Sequence, residues 1–257
     1  MSDVLIEPRG AVLWIIINRE ERRNAMNDAV VAGIAAGLTR ASEDPAIRAV
    51  VLTGVGERAF CAGADLSAGS GSFQYDYAKV GLPFVALMKQ ARDLTVPPIA
   101  RVHRHAMAGG LGMVGMCDMA VAADHARFGM PEVKVGIFPM QIMAILQKII
   151  PPRKCYEMAL TGEPIDAAEA LTLGLVNHVV PKAELDTKLD WLLDRLLDKS
   201  PTAIRRGKYA MRQTEALDFD HAAVFMEAQI GTLALTEDAA EGRRAFIEKR
   251  KPDWPGR

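Results

Sequence analysis

The sequence predicts an α/β protein whose first part alternates strands and helices and whose last part is all helix. Three observations predict it. Short β-branched runs alternate with helical stretches as far as about Pro139, a pattern that implies parallel strands joined by crossovers. Small, glycine-containing turns stand at several strand-to-helix junctions. Beyond Pro139 helical periodicity dominates, and from about residue 200 no strand signal remains. Two regions follow: residues 1–198 as an α/β core, and residues 199–257 as a helical appendage too small to build a core of its own.

The elements read in order as follows. Val12 to Asn18 (VLWIIIN) is a β-branched run and reads as a strand. Asn27 and Asp28 are N-cap candidates for a helix through about Ala41. After Pro45 comes a second strand, Ala49 to Thr53, closed by Gly54. Gly63 to Ser72, with the run Ala68-Gly69-Ser70-Gly71-Ser72, reads as a mobile loop. A helix from about Lys79 to Leu94 stops at Pro97-Pro98, which opens a third strand, Ile99 to His103. A small-residue helix follows Ala108 to Gly112 and runs to about Cys117; Asp118 to Ala123 is a fourth strand, and Arg127 to Gly129 a short one. Lys182 to Lys199 carries Leu185, Leu189, Leu192 and Leu196 on one face. Ser200-Pro201 pairs an N-cap with proline at the first helical position. Asp218 to Leu235 and Glu237 to Lys249 complete the chain as helices.

Composition narrows the function. The 257 residues carry 31 Lys+Arg against 32 Asp+Glu, so no diffuse basic field is available to hold nucleic acid. Half the residues are apolar, too many for a disordered chain. The longest unbroken apolar run, Ala11 to Ile17, is far short of the roughly 20 residues a membrane span needs. The N-terminus carries no secretory signal pattern. Cys61, Cys117 and Cys155 are too few and too scattered for a disulfide framework. A cytoplasmic protein without membrane or nucleic-acid partners is the expectation.

Two glycine-containing loops are the candidates for chemistry: Ala59-Phe60-Cys61-Ala62-Gly63-Ala64-Asp65-Leu66, and Ala108-Gly109-Gly110-Leu111-Gly112 at the opening of a helix. Small residues let a ligand approach the backbone, and a helix start offers free N–H donors. Two such loops can aim two N–H groups at one oxygen; glycine content alone favours reading each as an ordinary tight turn. Neither has the spacing of a nucleotide phosphate cradle. His103 and His105 form a His-x-His pair with no carboxylate or thiol nearby in sequence, which favours a surface or subunit-contact role over a metal site. Cys61 has small apolar neighbours and no evident base, which favours packing over nucleophilic chemistry.

Six motifs in order resemble the crotonase (enoyl-CoA hydratase/isomerase) superfamily: Arg23-Asn24-Ala25-Met26-Asn27, the two loops above with the second leading to Cys117-Asp118, Phe128 to Gly136 (FGMPEVKVG), Ala167 to Val180 (AAEALTLGLVNHVV), and Glu241 to Lys251 (EGRRAFIEKRK). The resemblance covers essentially the whole chain. It implies a crotonase-type ββα spiral core, with the C-terminal helices as a trimerisation region, in a homotrimer or a dimer of trimers. It implies an acyl-CoA substrate whose thioester oxygen is held by the backbone N–H groups of Ala64 and Gly109, with Glu132 moving the proton. Coenzyme A then enters as part of the substrate, and neither a separate cofactor nor a metal is implied. Arg22 or Arg23 is available to pair with the CoA pyrophosphate, and Ala25, Ala62, Asp65, Leu66, Gly110, Gly112, Pro131 and Met140 fall on substrate-binding positions. Phe246 and Lys249 fall where a neighbouring subunit reaches CoA.

The chain departs from the typical hydratase at one position. The first of the family's two glutamates falls on Gly112, which cannot carry a proton. Activating water is easiest with a second acid/base group, so the departure leaves three readings: an enoyl-CoA hydratase, a Δ3,Δ2-enoyl-CoA isomerase using Glu132 alone, and an inactive acyl-CoA-binding relative. The segment Ile137 to Met143 is bulky and apolar where typical hydratases are glycine-rich. Phe138, Met140 and Met143 are therefore available either to line an acyl pocket or to form ordinary helix core. The family's dehalogenases carry an aspartate in this stretch; here none is present.

Overall fold

The computed structural model describes residues 2–67, 78 and 80–257. Ala68 to Ser72 of the expected loop, and Lys79 at the expected helix start, lie outside the described residues. The chain folds around a six-stranded sheet of order β1-β2-β3-β4-β6-β9, in which β1 and β2 are antiparallel and the rest parallel. The strands are β1 (Val4–Arg9), β2 (Val12–Ile17), β3 (Ala49–Gly54), β4 (Pro98–Val102), β6 (Met119–Ala123) and β9 (His178–Val180). A second sheet of three short strands has β5 (Ala106–Met107) beside β7 (Arg127–Gly129), and β7 beside β8 (Ile165–Asp166).

Strand period explains how the large sheet is covered on both faces. Leu13, Ile15 and Ile17 of β2, Val50 and Leu52 of β3, and Ala100 and Val102 of β4 point into one core; α1 (Asp28–Glu43) and α2 (Pro83–Asp93) contribute Ile34, Leu38 and Leu87 to it. The alternate residues Val12, Ala49, Val51, Ile99 and Val121 point the other way, onto α7 (Leu185–Leu197). That helix buries Leu185, Leu189 and Leu192 of the expected stripe together with Leu193, while Leu196 packs at its margin. Strand β1 is absent from the sequence reading. Its Pro8, between Glu7 and Arg9, suits an edge strand, and Gly10 turns the hairpin with φ +59°.

The small-residue helix is α3 (Gly109–Gly115), and α4 (Met140–Leu146) lies against it. Helices α5 (Pro152–Thr161) and α6 (Ala167–Thr172) follow. The chain then closes with α8 (Pro201–Thr214), α9 (Phe219–Leu233) and α10 (Glu237–Ile247). Ser200 caps α8 by accepting from the Ala203 N–H at 2.9 Å. Lys208 of α8 pairs with Asp118 at 2.5 Å, which ties the helix to the start of β6. Helix α9 buries no residue, although Phe219, Val224 and Ile230 lie on it. Among the described residues, no helix is long and apolar enough to cross a membrane.

Candidate active site

The first loop is pinned on both sides. The Phe60 N–H donates to the His105 carbonyl at 3.0 Å, and the Met107 N–H donates to the Cys61 carbonyl at 3.0 Å. This short strand-like pairing holds the chain before Ala64 beside the chain before Gly109. At Gly63 (φ +98°) the backbone turns as only glycine does comfortably. A Cβ there would stand 2.6 Å from the Ala108 Cβ and 3.6 Å from the Gly109 nitrogen, so the two loops are in contact.

Beyond Gly63 the loop pairs with the segment before α1. The Met26 N–H donates to the Gly63 carbonyl at 2.8 Å, and the Asp65 N–H donates to the Met26 carbonyl at 2.7 Å. In a parallel bridge of this kind the two bonds flank Ala64, so its own N–H points to the opposite edge. Ala64 lines a cavity of about 950 Å³ on that side.

The second loop offers a matching donor. Ala108 has φ +52° and ψ −125°, a strained conformation for a residue with a side chain. Its N–H donates to the Gly129 carbonyl at 2.8 Å, and its carbonyl accepts from Leu111 and Gly112. Gly109 is therefore the first residue of α3, where the N–H has no partner within the helix. Gly109 lines the same cavity. Gly110 does not: a Cβ there would lie 2.3 Å from the Cys61 carbonyl oxygen, so this glycine allows the loops to close on each other.

Glu132 comes from the turn after β7. Pro131 starts one 3-10 turn through Val135, and Gly136 ends it in the left-handed region. Glu132 and Pro131 both line the cavity. The Glu132 Oε2 is buried and has no hydrogen-bond partner. Burial pushes the Glu132 carboxyl above the ordinary carboxylate range, against a smaller pull from its own backbone N–H. The neighbouring Lys134 is turned to Glu163, at 2.7 Å.

The other expected residues divide. Ala62, Leu66 and Met140 line the cavity. Asp65 does not; its carboxylate accepts from the Ser67 N–H at 3.0 Å and pairs with Arg19 at 2.9 Å. Those contacts, Ser67 first and Arg19 second, hold the Asp65 carboxyl down to about 2. Ala25 is buried, and its carbonyl accepts from Arg19 at 2.6 Å. Arg23 is exposed with φ +52° and lies off the cavity wall. Phe246 and Lys249 are exposed at the end of α10 and do not reach the cavity of their own chain.

Gly112 is buried beneath the wall. A Cβ there would lie 2.4 Å from Ile142 Cγ2 and 3.4 Å from Phe84 Cζ, so the space a longer side chain would need is taken by Ile142. The stretch Ile137 to Met143 thus does both things expected of it: Phe138, Met140 and Ile142 line the cavity, while Ile142 and Met143 pack with the core.

Arg19 and Asn24 escaped the sequence reading as positioning residues. Asn24 is 1% exposed, and its amide donates to the carbonyls of Val55 (2.9 Å) and Ala59 (2.8 Å). Arg19 joins Asp65, Ala25 and Asp3, at 3.3 Å for the last. The only signal was Asn24's place in a motif; Arg19 carried none. His103 also differs from expectation. It is buried within this chain at 4% exposure, and burial followed by the nearby Arg101 lowers its pKa to about 4, so it is not a surface residue here. Cys61 is fully buried with its thiol pushed up to about 12, a packing residue as expected. Among the described residues, no group of three or more His, Cys, Asp or Glu side chains is placed to hold a metal ion.

Residues 7–257 match the family model described as enoyl-CoA hydratase/isomerase. The chain is 36% identical over 260 residues to the enoyl-CoA hydratase EchA19 of Mycobacterium tuberculosis, covering 99% of this chain and 97% of that one. It is 35% identical to a carnitinyl-CoA dehydratase of Proteus mirabilis, covering 97% of each. The crystal structure of an enoyl-CoA hydratase from Mycobacterium smegmatis superposes with a TM-score of 0.92 at 33% identity, covering 98% of both chains.

Proposed function

The chain belongs to the enoyl-CoA hydratase/isomerase family, and from that premise we propose that it is an enoyl-CoA hydratase working through a thioester enolate with Glu132 as its one acid/base group. The observation that carries this reading is a buried, unpartnered Glu132 oxygen on the wall of the cavity that Ala64 and Gly109 also line. The substrate is a 2-enoyl-CoA, and coenzyme A enters as part of it, with no other cofactor.

The chemistry balances with these groups alone. The thioester oxygen accepts from the Ala64 and Gly109 N–H groups, which drains electron density from the β-carbon. Glu132, ionised, takes a proton from a water molecule as the water oxygen bonds to that carbon. The electron pair of the double bond moves through the α-carbon onto the thioester oxygen, where the two donors stabilise the charge. Glu132 then returns the proton to the α-carbon, and H and OH have been added across the double bond. Burial suits Glu132 to both steps, because a carboxyl with a raised pKa is a better base when ionised and gives the proton back at neutral pH.

A second reading is favoured by one observation: Ile142 stands where a side chain at residue 112 would project. Moving a proton between C2 and C4 of an enoyl-CoA requires only Glu132. Mixing the protein with crotonyl-CoA and with a 3-enoyl-CoA separates the two. Hydration removes the conjugated thioester absorbance of crotonyl-CoA, whereas isomerisation creates it from the 3-enoyl substrate. Absence of both changes, with every acyl chain tried, would return the chain to the inactive acyl-CoA-binding reading.

The assembly is a homotrimer or a dimer of trimers in the cytoplasm. Support comes from α9, which leaves Phe219, Val224 and Ile230 exposed, and from Phe246 at 85% exposure on α10. In such an assembly Phe246 and Lys249 contact CoA bound to a neighbouring subunit, and Arg23 pairs with its phosphates. Sedimentation at micromolar protein tests this, a monomeric mass being the contrary result.

A further inference from the structure

We propose that Ile142 is the specificity-determining residue of the acyl pocket, selecting extended apolar acyl groups over short or charged ones; the proposal rests on the acyl-CoA reading above. Ile142 is 3% exposed, lines the cavity, and fills the space outside Gly112 that would otherwise admit a polar side chain or water. Phe84 borders the same space at 3.4 Å from the position of a residue-112 Cβ, and Met140 and Phe138 continue the apolar wall.

Among the described residues, the polar side chains on the cavity wall are otherwise engaged or sit at its margin. Asn27 caps α1 through Val30 and donates to Asp3 at 2.8 Å. Lys134 is exposed and paired with Glu163, and Asp28 is exposed at the start of α1. Among the described residues, apart from Glu132, the half-buried Gln141 is the remaining polar side chain on the wall, and it is uncharged. An acyl substituent that meets Ile142 and Phe84 therefore loses its hydration without gaining a partner among the described residues. A methylene there gains its full transfer energy, while a charged group is penalised.

The test measures binding as well as turnover. Dissociation constants of butyryl-CoA and octanoyl-CoA are read by calorimetry for the wild-type protein, Ile142→Ala and Ile142→Val. Each methylene buried on the wall is expected to tighten binding about fourfold. The wild type should thus prefer octanoyl-CoA by at least tenfold. Ile142→Ala should cut that preference at least threefold, and Ile142→Val should keep it within twofold. In turnover, trans-2-octenoyl-CoA should exceed crotonyl-CoA in kcat/KM chiefly through KM, and a crotonyl-CoA bearing a γ-trimethylammonium group should rank last. Equal affinity for the two saturated thioesters, or an unchanged preference in a folded Ile142→Ala protein, overturns the proposal. Binding that follows the expected order without turnover of any enoyl-CoA would sustain the pocket and sink the hydratase reading instead.

Discussion

Replacing Gly112 with alanine tests the packing that excludes a second acid/base group. The added Cβ would sit 2.4 Å from Ile142 Cγ2, well inside van der Waals contact, on a helix whose residues Gly110 to Val114 are all buried. Overpacking of this kind costs about 1–3 kcal/mol. Alanine in place of glycine within a helix returns about 1 kcal/mol, so Gly112→Ala should destabilise by roughly 0–2 kcal/mol. In an Ile142→Ala background, itself costing about 2–5 kcal/mol, the 2.4 Å contact is gone and the nearest remaining one is to the residue-142 Cβ at 3.2 Å. The same substitution should there be between neutral and stabilising by about 1 kcal/mol. Urea unfolding of the four proteins at one fixed concentration measures the coupling, because oligomer stability shifts with concentration. The expected coupling is about 1–3 kcal/mol. Equal effects in both backgrounds, within about 0.5 kcal/mol, would refute the claim that Ile142 occupies the residue-112 space.

Other predictions follow from the same contacts. Arg19→Leu leaves Asp65 buried without its ion-pair partner and should cost about 3–5 kcal/mol in thermal or urea unfolding. Because the Asp65 pKa is lowered to about 2 from 3.8, its contribution is complete above about pH 4 and is lost as pH falls toward 2; Asp65→Asn should flatten acid unfolding in that window. Burial raises the Glu132 pKa, so its charge opposes folding at neutral pH. Glu132→Gln should therefore be at least as stable as wild type, and the acid limb of the wild-type kcat/KM profile should lie above 4.5, the ordinary value. His103 has its pKa lowered to about 4 from 6.5, so the unfolded chain binds the extra proton and stability falls as pH drops from 6.5 toward 4; His103→Leu should lose less stability between pH 7 and pH 5 than wild type.

Much of this was readable from local pattern. Val12 to Ile17 and Ala49 to Gly54 announce themselves as buried strands because β-branched and small apolar residues fill both faces. The α7 leucine stripe likewise shows at helical spacing which face it buries. Strand β1 was not readable, because an edge strand paired on one side tolerates Pro8 and two charges. Small residues alone showed only two glycine-containing loops; it was the resemblance to the family that singled out Ala64, Gly109 and Glu132, and all three line one cavity. Arg19 was not, because its partners Asp65 and Asp3 lie 46 residues ahead of it and at the far end of the first hairpin. Nor could spacing tell that Ile142 closes on Gly112, since that contact depends on how α4 lies across α3. The burial of His103 within its own chain was not readable for the same reason: a polar residue at a strand end is usually at the surface or a subunit contact, and only the tertiary fold buries it.

The central claim is that one buried carboxylate moves the proton while two backbone donors hold the thioester oxygen. The most direct measurement follows the conjugated absorbance of trans-2-octenoyl-CoA with wild type and Glu132→Gln, alongside octanoyl-CoA affinity for both. The account predicts absorbance loss with wild type, a rate lower by about 10²–10⁴ with Glu132→Gln, and affinities within a few-fold of each other. Turnover by Glu132→Gln at the wild-type rate would contradict it.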